Sequence, residues 1–141
     1  MAESGLYVYV SQQGANQISV YRMSAGGELN KVQDVSVGGK AMPMAVSPDR
    51  RFLFVALRTE PYSIASFAID GANGTLTHLG NAPAPNSAPY ISTDRTGRFL
   101  LGAYNPEAEQ AGRRTGWISV SRWGTRTSRP SPSSTRSSSS A

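Results

Sequence analysis

Met44-Ala-Val-Ser-Pro-Asp49-Arg-Arg-Phe52-Leu-Phe-Val55 is answered later in the chain by Pro89-Tyr-Ile-Ser-Thr-Asp94-Arg-Thr-Gly-Arg-Phe99-Leu-Leu101. Ser47 and Ser92, like Asp49 and Asp94, lie 45 residues apart, and Phe52 and Phe99 lie 47 apart. Tyr7-Val-Tyr-Val10-Ser11 stands 45 residues before Phe52-Leu-Phe-Val55-Ala56, so one unit of sequence recurs along the chain. Self-similarity at that period, carried by short runs of β-branched and aromatic residues, is the mark of propeller blades or another stacked β array.

Working outward, Tyr7 to Ser11, Phe52 to Leu57 and Phe99 to Tyr104 are near-continuous apolar runs. They are too short for helices and read as buried strands. Ile18 to Tyr21, Ile64 to Ile69 and Ile118 to Val120 alternate apolar with small or polar residues, the period of a strand with one packed face. Ser47 to Arg51 and Ser92 to Gly97 are turns in which an Asp side chain bonds nearby amides, Pro48 presets one φ and Gly97 permits a positive one. Gly26-Gly-Glu-Leu29 and Gly71-Ala-Asn-Gly74-Thr-Leu76 play the same part ahead of each outer strand. The best-resolved unit predicts four strands: Met42 to Ser47, Phe52 to Leu57, Ile64 to Ile69 and Leu76 to Gly80. The expected fold is therefore all-β, about two and a half four-stranded antiparallel blades of a β-propeller. Closed propellers use about four to eight blades, so at this period a ring needs roughly 180 residues or more.

Composition divides the chain. Residues 1–110 carry nine acids against eight Lys plus Arg, whereas 111–141 carry six Arg and no acid, so the net +5 belongs to the C-terminal part. From Ser119 to Ala141, 10 Ser, 4 Arg and 3 Thr make up 17 of 23 residues, too polar to pack a core. The reading divides the chain into a partial propeller at 1–110, the start of a further strand at 111–122 and a disordered Ser/Arg-rich tail at 123–141. Three origins of the tail stay open: a basic segment for anionic partners, a plain extension, or a lost coding frame, the last being favoured. The charges are sparse and lack aromatic interleaving, so no nucleic-acid partner is expected. There is no cysteine, hence no disulfide framework or thiolate site. No basic-then-apolar leader and no membrane-length apolar run is visible. A cytoplasmic protein without a membrane partner is the expectation.

Val37-Gly-Gly-Lys40 with Met42-Pro-Met44, the Ser47-Pro-Asp49 turn and Phe52-Leu-Phe-Val55 form the first part of a longer pattern. It continues through Arg58-Thr-Glu60-Pro61, Phe67-Ala-Ile-Asp70, Gly74-Thr-Leu76 and Tyr90-Ile-Ser-Thr-Asp94. In order and spacing this resembles the N-terminal blades of the 6-phosphogluconolactonase family of seven-bladed propellers, over residues 5 to about 105. The resemblance implies hydrolysis of a sugar-phosphate lactone in the pentose phosphate pathway, with no metal and no other cofactor. Relatives of the same fold, cycloisomerase-2-like, act on muconate-type lactones. It also implies that the central His, Arg and Glu groups come from later blades, so no catalytic residue is assigned and the chain is expected to be an inactive fragment.

Lactone opening needs activated water, donors where oxyanion charge develops, and a basic group for the phosphate. Propeller ligands meet one end of the central channel, at the loops joining second to third strands and blade to blade. Those loops hold Lys40, Arg58, Glu60, Tyr90 and Asn105, the candidate substrate-binding residues. Lys40 and Arg58 are candidates for the phosphate, and Glu60 for a base if desolvated. Tyr90 stands where many relatives carry His, and Asn105 follows the third buried strand. The sole histidine, His78, is expected to be a solvated residue of an outer strand. The partner expected of a complete enzyme is a sugar-phosphate lactone; the alternative function is a binding module that self-associates through an exposed blade edge.

Overall fold

The computed structural model describes residues 5–104, 117–122 and 131–133. Its strands are β1 (Leu6–Gln12), β2 (Gln17–Met23), β3 (Leu29–Ser36), β4 (Ala41–Val46), β5 (Phe52–Leu57), β6 (Ser63–Ile69), β7 (Leu76–Pro83), β8 (Tyr90–Thr93), β9 (Phe99–Tyr104), β10 (Trp117–Arg122) and β11 (Ser131–Ser133). They form three antiparallel sheets in the orders β1-β2-β3, β4-β5-β6-β7 and β8-β9-β10-β11. The second sheet is the unit read from the sequence, with β4 beginning one residue earlier and β7 running to Pro83. Three of the strands lie in or beside the region where composition changes: β10 pairs with β9, and β11, inside the 123–141 segment, pairs with β10. The expected domain boundary otherwise falls largely outside the described residues.

Period-2 alternation splits each strand between two interfaces. Leu53, Val55, Leu57, Ala65, Phe67 and Leu76 of the second sheet pack with Ile18, Val20 and Val37 of the first. On the opposite face, Phe54, Ala56 and Ile64 pack with Ala88, Ile91, Leu100 and Tyr104 of the third sheet and its approach. The core thus lies between sheets, and the second sheet is covered on both faces. That explains why β5 reads as an unbroken apolar run: Leu53 to Leu57 are all buried.

The turns repeat a backbone and not a set of residues. Ser47 N donates to Phe52 O (2.9 Å) and Asp94 N to Phe99 O (3.0 Å). Phe52 N donates to Ser47 Oγ at 3.0 Å, and Phe99 N to Asp94 Oδ1 at 2.9 Å. Ser47 therefore stands where Asp94 stands, and Asp49 where Thr96 stands: the structural repeat here is the 47 residues separating the phenylalanines. The left-handed position is Arg50 (φ 59°) in one turn and Gly97 (φ 69°) in the other. In each case acid and hydroxyl bond each other, Ser47 Oγ to Asp49 Oδ1 at 2.6 Å and Thr96 to Asp94. The Ser47 hydroxyl and the Arg51 amide hold the Asp49 carboxyl below its ordinary 3.8. The Thr96 hydroxyl, then backbone amides including Phe99, do the same for Asp94.

Candidate functional site

At one end of the second sheet, the β5–β6 loop (residues 58–62) meets the linker from β3 to β4. The linker is stitched from two sides: Val37 N donates to Asn16 O, and Arg58 N to Lys40 O, both at 2.9 Å. Lys40 N donates to Thr59 Oγ1 at 2.9 Å. A Cβ on Gly39 would stand 3.3 Å from Thr59, so glycine permits this close approach. Between loop, linker and the end of β7 opens a cleft of about 410 Å³. Its polar lining includes Glu60, Tyr62, Ser63 and Asn81, over an apolar floor of Leu57 and Ala82. Asn81 is held by its neighbours: its amide donates to Ser63 Oγ at 3.4 Å, and its Oδ1 lies 2.6 Å from His78 Nε2.

The structure brings the sequence candidates to the same end of the sheets but not into one pocket. Glu60 lines the cleft, exposed and joined to Pro61 by a cis peptide bond. Lys40 contributes its backbone to the linker stitching, with an exposed side chain. Arg58 is half-buried and turns toward the third sheet, where its Nε donates to Ser87 Oγ at 2.6 Å in the β7–β8 linker. That single bond orients the guanidinium plane while leaving its two terminal nitrogens outside it, a fork able to take an anion bidentately. Tyr90 opens β8 with 63 % of its surface exposed. Asn105 lies outside the described residues. His78 is exposed, as expected of the outer strand, though it bonds Asn81 and its ring sits 5.3 Å from Phe67.

Thr59, Ser63, Asn81 and Ser87 escaped the sequence reading. Thr59 sits between two candidates and carried a signal only in that adjacency. Ser87 and Asn81 are brought in by pairing across 29 and 18 residues, which no local pattern encodes.

Residues 1–43 and 38–109 match the family described as "Lactonase, 7-bladed beta-propeller". The chain belongs to this lactonase family. Among relatives of this lactonase-family chain, the 6-phosphogluconolactonase of Enterobacter sp. (strain 638) is 44% identical over 99 residues, 70% of this chain and 30% of that protein. The 6-phosphogluconolactonase of Yersinia pestis (strain Pestoides F) is 45% identical over 96 residues, 68% of this chain and 28% of the relative. The chain thus spans less than a third of the length of these relatives. In fold it is similar to a putative 6-phosphogluconolactonase from Bacteroides fragilis, with a TM-score of 0.74 at 20% identity over 89% of this chain and 34% of the other. A periplasmic gluconolactonase from Pseudomonas aeruginosa gives a TM-score of 0.69 at 20% identity over 90% and 36%. Among the described residues no helix is long and apolar enough to cross a membrane.

Proposed function

We propose that this chain is a portion of a 6-phosphogluconolactonase-like lactone hydrolase and holds part of its substrate-binding end. In that reaction water adds to the lactone carbonyl carbon and the ring C–O bond breaks, leaving a carboxylate and a free hydroxyl. The identity of about 44% to relatives bearing that name is the observation that carries the reading. The geometry supports specific roles. Arg58, oriented by Ser87, takes the phosphate; Glu60, Ser63 and Asn81 offer acceptors and donors to sugar hydroxyls; Lys40 and Tyr90 flank them from the linker and from β8. Asn105 is assigned to the same end by the resemblance. Glu60 is exposed to water, which suits hydroxyl binding better than proton abstraction. No residue of this chain is given the catalytic step, and turnover by the chain alone is not expected. The pentose phosphate pathway and a cytoplasmic setting belong to the same proposal.

Titration of the isotope-labelled chain with 6-phosphogluconate, the reaction product, tests this. Expected are shifts at Arg58, Ser87 and the 58–62 loop, lost in Arg58→Ala, with lactone opening no faster than the spontaneous rate. Absence of shifts, or equal shifts with unphosphorylated gluconate, overturns the sugar-phosphate assignment.

A further inference from the structure

The first and second sheets superpose residue by residue through their pairing. Tyr7 faces Arg22 across β1 and β2 as Phe52 faces Ala68 across β5 and β6, and Met23 meets Leu29 as Ile69 meets Leu76. The register shift recurs at the same place, between Val20 and Tyr21 and between Ser66 and Phe67. Val10 is then the counterpart of Val55, Tyr21 of Phe67 and Leu29 of Leu76. The second sheet buries these positions completely or nearly so, leaving Val55 0%, Phe67 0% and Leu76 5% exposed. The first sheet leaves Val10 39% and Leu29 51% exposed, with Leu6 at 56% at the end of the same β1 row. One chemical surface is thus covered in one copy of the unit and bare in the next.

The molecule itself displays what covers such a face. Over Val55, Phe67 and Leu76 lies the opposite face of the first sheet, with Tyr9, Ile18, Val20 and Val35. The equivalent covering face recurs on the third sheet. Leu100 and Tyr104 point into the second sheet, so alternation turns Phe99, Leu101 and Ala103 the other way, and all three are only half-buried. Phe99 and Leu101 occupy the β9 positions that Tyr7 and Tyr9 occupy in β1. A single chain therefore carries both halves of a contact it makes internally twice.

We propose that the bare face of the first sheet, Leu6, Val10, Tyr21 and Leu29, docks the Phe99–Leu101 face of the third sheet of a second copy of this chain. The contact is heterologous, so it closes only if rotation permits. Two copies supply six sheets, within the range of about four to eight in which propellers close, whereas three copies exceed it. The assembly is a closed pair with two equivalent contacts. This differs from pairing at the last strand edge, because the driving surface is apolar and lies on the first sheet.

Sedimentation equilibrium of the full chain over a wide concentration range tests the proposal. The expected species has twice the monomer mass. Val10→Lys and Leu29→Lys, each placing an unpaired charge in the contact, raise the dissociation constant by about tenfold or more, whereas Thr77→Lys on the exposed outer strand of the second sheet leaves it unchanged. Leu101→Glu alone is likewise expected to be monomeric, and an equal mixture with Val10→Lys regains the dimer. Leu29 is already half exposed, so Leu29→Lys is the variant expected to keep its thermal transition. An unmodified chain that stays monomeric at every concentration overturns the proposal, as does a dimer insensitive to both lysines. Association only with separately produced later blades of a relative's propeller overturns it in favour of that partner.

Discussion

The second sheet is held on its two sides by different means. Toward the first sheet, the aliphatic core is supplemented by side chains that reach across to backbone. Tyr7 Oη donates to Ala72 O at 3.0 Å, and Tyr9 Oη to Gly74 O at 2.8 Å. Gln33 brackets Leu76, its Nε2 donating to the carbonyl at 3.3 Å and its Oε1 accepting from the amide at 2.8 Å. Toward the third sheet, the core of Phe54, Ala56, Ile91 and Leu100 is crossed among the described residues by Thr93 Oγ1 to Val46 O (3.0 Å) and by the Arg58–Ser87 bond. Apolar burial is non-directional, whereas these bonds fix register between sheets. The difference teaches that the first interface is both packed and keyed, and the second chiefly packed.

The sharpest way to break the keyed side is to hollow it. Phe67 is fully buried there, and Phe67→Ala is expected to cost about 3–5 kcal/mol in denaturant unfolding. Gly74→Ala comes next. Gly74 has φ 74°, and an added Cβ would stand 2.3 Å from the Tyr7 ring, so the change combines left-handed strain with a clash. A loss of about 2 kcal/mol is expected, partly recovered when Tyr7→Ala is added. Tyr9→Phe removes only the key and leaves the Gly74 carbonyl without that donor, costing about 1 kcal/mol. On the packed side, Thr93→Val is expected to cost less than Tyr9→Phe, and native-state hydrogen exchange to show β8 opening before β2.

Acid sharpens the contrast through the turns. Asp49 and Asp94 are both depressed in the folded chain, so their stabilisation is fully present above the ordinary 3.8 and disappears as pH falls through the depressed folded values. Thermal unfolding followed from pH 6 downward should therefore show losses that begin near 4. Because Asp94 itself accepts from Phe99 N, while Ser47 does that work in the other turn, Asp94→Asn should flatten the acid dependence of the third sheet more than Asp49→Asn flattens that of the second. Equal effects from the two substitutions would contradict the exchanged roles.

Much of this was legible beforehand, for identifiable reasons. The runs at Tyr7, Phe52 and Phe99 are buried on both sides or nearly so, and such strands announce themselves by unbroken hydrophobicity. The turns announced themselves by Pro48, Asp49, Asp94 and Gly97. Their alignment did not, because matching Asp49 to Asp94 follows letters, whereas the hydrogen bonds match Ser47 to Asp94. The candidate site was legible as a set of loops and no further. Lys40, Arg58 and Glu60 are close in sequence and at one end of a sheet, yet Ser87 turns Arg58 toward one neighbour and the cleft draws Glu60 toward the other.

By itself, the sequence determined the repeating unit, its strands and its family, since these rest on residue spacing and on backbone preferences that act over a few positions. Only the tertiary structure decided which face of each strand meets which neighbour, that Ser87 and Asn81 join the loops, and that Val10 and Leu29 stay bare where Val55 and Leu76 are covered. Those outcomes depend on contacts between residues dozens of positions apart, whose geometry no local pattern specifies.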